Sequence, residues 1–121
     1  MRKRGISIRS REDAERGSVA AEFALALPAV VLTLLLGAGA LGAAAQLVAL
    51  QDAVADAARL LGRGESSASS EAVVTASVGG ARVSSEARGE FICVSAQIDA
   101  RVGTFLRVPL AASSCALAGG I

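Results

Sequence analysis

Between Phe23 and Ala45 the chain carries no charge, and the next strongly polar side chain is Gln46. The run is 23 residues long, and about 20 helical residues cross the hydrocarbon core of a bilayer. A helix that is apolar on every side has no face to turn toward water. The run therefore reads as a membrane span. Pro28 and three glycines (Gly37, Gly39, Gly42) interrupt it, and membrane helices tolerate such breaks better than soluble ones.

Charge orients the span. Residues 1–16 hold six of the twelve basic residues and three acids, whereas residues 17–121 hold six basic and eight acidic residues, a net of −2. A basic excess just before an apolar run places the N-terminus in the cytoplasm and the C-terminal part outside. The competing reading, a nucleic-acid-binding tail, is disfavoured by the acids Glu12, Asp13 and Glu15 and by the absence of aromatic residues for stacking.

The rest of the composition narrows the function. The chain has 121 residues, room for one small domain. Apolar residues make up 53%, yet Trp and Tyr are absent and only three Phe occur. Outside the span the sequence is too short and too rich in Ala, Ser and Gly to build a large core. There is no His, which removes His-based acid–base catalysis, Ser-His-Asp triads and most zinc sites. The expectation is a non-enzyme with no cofactor, no metal and no small-molecule substrate.

Four pieces follow one another. Residues 1–17 are polar, lack an apolar period and read as a solvated cytoplasmic leader. Beyond the span, Leu47, Leu50, Val54, Ala57 or Ala58, and Leu61 recur at offsets of three and four, one apolar stripe on a helix. Asp56 and Arg59 form an i,i+3 pair, the stretch is Ala-rich, and Gly62 and Gly64 end it. The spacing predicts one helix over 18–62, bent near Pro28, with its membrane span about 23–45. Residues 63–80 read as a Ser-rich linker followed by a short helix starting at Ser70, with a strand at 73–78 as the rival. Residues 81–121 read as a small antiparallel β-meander. Phe91–Val102 alternates cleanly, with Ile92, Val94, Ala96, Ile98, Ala100 and Val102 on one face. Flanking strands are expected at 81–87 and 111–118, with Arg88-Gly89 as a turn and Pro109 at an edge or in the connection.

Cys93 and Cys115 are the only cysteines. Their count and spacing fit neither a metal site nor a CxxC redox pair. Both fall on the extracytoplasmic side, where disulfides persist. They would face each other if Phe91–Val102 paired antiparallel with the last strand through a loop near Gly103-Thr104. The alternative is two buried free thiols.

Directly ahead of the run stands Arg16-Gly17-Ser18-Val19-Ala20-Ala21-Glu22-Phe23. A carboxylate at a membrane edge is costly unless paired. A cut between Gly17 and Ser18 would supply a partner, because Glu22 would then be the fifth residue and the new α-amine would lie four residues away. The positive end of the helix also favours Glu there. The plainer alternative is a Glu that caps a signal-anchor helix.

This block resembles a type IV prepilin processing site: a basic leader, Gly at the cut, Glu at the fifth mature position, then a long apolar helix. With Ala24-Leu25-Ala26-Leu27-Pro28-Ala29-Val30-Val31 and Gln51-Asp52-Ala53-Val54-Ala55-Asp56-Ala57-Ala58-Arg59, the wider pattern is similar to the TadE-like minor pilins, or pseudopilins, of tight-adherence pilus systems, actinobacterial in type. About 45 residues carry it. The resemblance implies cleavage after Gly17 by a membrane prepilin peptidase, and a Ser18 amine open to methylation. It implies docking of Glu22 with the N-terminal amines of neighbouring pilin subunits, and a role assisting assembly of a Flp-type pilus or related secretion system rather than forming its main fibre. Ser18 stands where a major pilin has Phe, and the β region is longer than a Flp-type subunit has; both departures favour the minor component.

Two other motifs compete. Ala43-Ala44-Ala45 has the small-x-small form of a signal-peptidase site, and a cut there would release 46–121 as a secreted protein. Against it stand Glu22 and Pro28, the length of the run, and the stripe that continues past Gln46. Gly37-Ala38-Gly39-Ala40-Leu41-Gly42 spells GxGxxG, but a dinucleotide fingerprint needs a strand before it and a βαβ unit around it. Gly39 with Ala43, and Ala38 with Gly42, instead offer faces on which another helix can pack closely.

The combined expectation is an α+β protein: a long N-terminal transmembrane helix continuing into a small extracytoplasmic domain. It would sit as a single pass in the cytoplasmic membrane, or in a surface pilus. Its partners would be prepilin peptidase, other pilin subunits with the assembly machinery, and the bilayer. The alternatives are the secreted protein and an unprocessed bitopic membrane protein.

Overall fold

The computed structural model describes residues 4–119. Two helices are followed by three strands: α1 (Arg4–Gly62), α2 (Ser67–Ser77), β1 (Arg82–Arg88), β2 (Phe91–Val102) and β3 (Leu106–Leu117). The class is α+β, with one long N-terminal apolar helix and one antiparallel sheet in the order β1-β2-β3. The chain forms two compact units; the first ends at Gly37 and the second starts at Ala38.

The described residues of the first unit are helix alone. α1 begins at Arg4 rather than Ser18, so residues 4–17 of the leader extend the helix, and residues 11–17 are exposed. Its residues allow this: Arg11 with Glu15, and Glu12 with Arg16, stand at i,i+4 spacing, which supports a helix without any apolar stripe. The helix continues through Pro28.

The second unit holds the core. α1 contributes Leu50, Ala53, Val54, Ala57 and Ala58, and the Val74–Val78 stretch lies beside them. Val94, Ala96 and Ile98 of β2 and Ala112 of β3 complete the cluster. The stripe expected on α1 is present, with two changes: Ala53 joins it, and Leu47, at its margin, stays 38% exposed. The alternation expected along β2 is also present, since Val94, Ala96, Ile98 and Ala100 are buried while Gln97 and Asp99 are exposed. Among the described residues, only Leu50, Val54, Val74 and Val94 are large and fully buried. At about 1.5–3 kcal/mol for each such side chain, the core is modest.

Hydrogen bonding explains the element ends. Glu65 N–H donates to the Leu60 carbonyl (3.1 Å) and Gly64 N–H to the Leu61 carbonyl (3.0 Å), with Gly64 at φ +90°. This is the paired-bond helix stop that needs a left-handed residue, and Gly64 supplies it. α2 starts at Ser67, ahead of the expected Ser70, because Ser66 is its N-cap: the Ser66 hydroxyl accepts from Ser69 N–H. Ser70 is instead buried, its hydroxyl donating to the Ala57 carbonyl at 3.3 Å. Residues 73–77 are therefore helix and not strand.

β3 begins at Leu106, well before the expected Ala111. Pro109 lies within it, opposite Asp99. It is tolerated because β3 is an edge strand with one side of its backbone unpaired. The β2–β3 turn is Gly103-Thr104-Phe105, bounded by the pair Val102 and Leu106.

Candidate functional site

The sequence places three sets of residues in candidate roles: the Gly17–Ser18 bond with Glu22, the small residues of the apolar run, and the two cysteines.

Gly17, Ser18 and Glu22 all lie on α1 and are exposed. Residues four apart share a helix face, so an amine created at Ser18 would open the face on which Glu22 sits. Among the described residues the ion pairs are Asp56 with Arg59, Arg82 with Asp99, and Glu86 with Arg88; Glu22 has no cation in reach. The Gly17–Ser18 bond is inside a helix, and proteolysis there would need local unwinding. Gly17 is the weakest helix former at that point, about 1 kcal/mol worse than Ala, and its α-carbon faces open space.

From Phe23 to Leu36 the helix surface is largely apolar and uncovered. Phe23 is 63% exposed, Leu25 80% and Leu34 67%. Val30, Val31, Leu32, Leu35 and Leu36 are likewise at least half exposed. Soluble monomers rarely expose a contiguous apolar patch beyond a few hundred Å². By length and composition α1 is a candidate membrane span, with a mean hydropathy of 2.3 in its most apolar window.

The small residues divide. Pro28 is exposed on the helix. A Cβ on Gly42 would meet nothing within 4 Å, which leaves that side of the helix open. Gly39 was expected to admit another helix, but it meets its own chain: a Cβ there would lie 2.8 Å from Val102 Cγ1 and 3.6 Å from the Gly103 nitrogen. Ala43, one turn on, is half-buried on the same side. At the other end of the contact, a Cβ on Gly62 would lie 2.7 Å from the Leu117 carbonyl oxygen, and Gly119 N–H donates to the Gly62 carbonyl at 2.9 Å. Two glycines thus set how closely α1 approaches β2 and β3. Only the spatial register of segments far apart in sequence reveals this.

Cys93 and Cys115 are register partners on β2 and β3 and are joined in a disulfide. The bond lies on the face of the sheet away from the core residues Val94 and Ala96. Cys93 is buried and Cys115 exposed. Among the described residues, no three or more His, Cys, Asp or Glu side chains gather as a metal site would need. No known protein family, no curated protein and no solved structure matches the chain.

Proposed function

We propose that this chain is a TadE-like minor pilin: a single-pass membrane subunit, cut after Gly17 by prepilin peptidase, that assists assembly of a tight-adherence pilus or related secretion system. The observation that carries the reading is Glu22, an exposed carboxylate one helical turn from Ser18, at the start of an uncovered apolar helix. In lipid such a carboxylate is costly without a cation. The α-amine released at Ser18 supplies one within the same helical turn, and that of a neighbouring subunit supplies one across a helix–helix contact.

The rest of the chain supports the same role. The apolar surface from Phe23 to Leu41 would pack first against lipid and then against the helices of other pilins. The disulfide suits an extracytoplasmic domain. Work at such a surface requires no catalytic group, and none is assigned.

Replacing Glu22 tests the reading. Glu22→Gln removes the charge and keeps the shape. The variant is expected to be cleaved normally and to remain in the membrane, but to lose co-purification with the other pilin subunits and pilus assembly. Normal assembly by Glu22→Gln would remove the carboxylate's role.

A further inference from the structure

The β2–β3 hairpin ends in side chains that the described residues leave exposed. Phe105, at its turn, is 97% exposed, and Leu106 and Val108 are 54% and 39% exposed. Leu106 and Val108 pair with Val102 and Ala100 and so continue the core-facing side of the sheet past the last buried residue. Behind this apolar tip, Arg101 and Arg107 are directly opposed on the other face. Like charges at paired cross-strand positions repel, and among the described residues neither has a carboxylate within salt-bridge distance.

The position of the tip along α1 gives these features a common meaning. Val102 and Gly103 rest against Gly39, seven residues before Gln46 closes the uncharged run. At 1.5 Å per residue, the contact lies about 10 Å inside the end of that run. The run exceeds the roughly 20 residues a bilayer core needs by only about three. If α1 spans a membrane, the hairpin tip is therefore held at the depth of the outer leaflet's acyl chains.

We propose that the β2–β3 hairpin is a second membrane contact: Phe105, Leu106 and Val108 enter the outer leaflet beside α1, and Arg101 and Arg107 bind anionic lipid headgroups. Strand edges are excluded from hydrocarbon because their backbone groups lack partners there, so only the tip enters. The arginines set the limit, their guanidinium groups meeting phosphates and relieving the cross-strand repulsion. The proposal rests on α1 being a membrane span, but not on pilus function.

The absence of Trp and Tyr makes the test direct. Single-tryptophan variants Phe105→Trp, Leu34→Trp and Phe91→Trp of the full chain are reconstituted into phosphatidylcholine vesicles, with or without phosphatidylglycerol, carrying brominated acyl chains. All three sites are exposed, so the substitutions displace no packing. Bromolipid is expected to quench Phe105→Trp about as strongly as Leu34→Trp, and to spare Phe91→Trp at the far end of the sheet. Phosphatidylglycerol is expected to deepen quenching at residue 105, and Arg101→Gln with Arg107→Gln to abolish that increment. Quenching at residue 34 without quenching at 105 would overturn the hairpin contact and leave the span standing. Absence of quenching at residue 34 would overturn the span and the proposal together. A blue-shifted but unquenched residue 105, whose shift disappears on dilution with lipid, would overturn lipid as the occupant and identify a second copy of the chain.

Discussion

Gly39 of α1 and Val102 of β2 stand in backbone-to-side-chain contact: a Cβ on Gly39 would lie 2.8 Å from Val102 Cγ1, closer than two carbons approach unless one moves. Gly39→Leu is expected to push the β2–β3 hairpin off the helix at about 1–3 kcal/mol, the cost of overpacking a filled site. Gly39→Ala is expected to be near neutral, since a gain of about 1 kcal/mol in helix propensity offsets the shift of one valine methyl. Denaturant titration of the detergent-solubilised protein distinguishes them. A Leu variant as stable as the parent would contradict the contact.

Gly62 faces a harder obstacle. The atom in the way is the Leu117 carbonyl oxygen at 2.7 Å, which is backbone. Gly62→Ala is therefore expected to destabilise despite its better propensity. Gly42→Ala, facing open space, is expected to raise stability by up to about 1 kcal/mol. Melting temperatures should rank Gly42→Ala first and Gly62→Ala last.

Cys93–Cys115 closes a loop with a sequence separation of 22. In the chain-entropy picture such a bridge contributes roughly 3 kcal/mol. Replacing both cysteines by Ser is expected to lower the denaturation midpoint accordingly. Mass analysis of the oxidised native protein should find no alkylatable thiol, and two labelled thiols would contradict the bond.

Leu50 is fully buried between α1 and the sheet, while Leu41 is 75% exposed on the same helix. Leu50→Ala is expected to cost about 2–5 kcal/mol through lost burial and a residual cavity. Leu41→Ala should leave the stability of the solubilised domain within about 0.5 kcal/mol. Equal effects would mean that the helix presents a different face to the sheet.

The elements most legible in the sequence were those whose pattern is local. β2 alternates over its whole length, and its expected bounds, Phe91–Val102, match those observed. The α1 stripe from Leu50 to Leu61 was legible for the same reason. β3 was only half legible, because Pro109 reads as a strand breaker while cross-strand pairing carries the strand through it. The start of α2 was hidden because a serine cluster reads equally as linker and as N-cap. The helical leader was hidden because its support is charge spacing and not an apolar period. The missing side chain of Gly39 is legible in the sequence, but its partner is not, since the contact with Val102 joins segments distant in sequence. The Gly17–Ser18 bond and Glu22 are legible as a motif; the roles proposed for them rest on chemistry that needs a peptidase and neighbouring subunits.

The N-terminal residue of the protein extracted from the membranes of its own host tests the central claim most directly. The account predicts that the sequence begins at Ser18, with or without a methyl group on its amine. A chain beginning at Gln46 would instead mark a secreted protein. Retention of Met1 through Gly17 in cells with a working pilus would contradict the account.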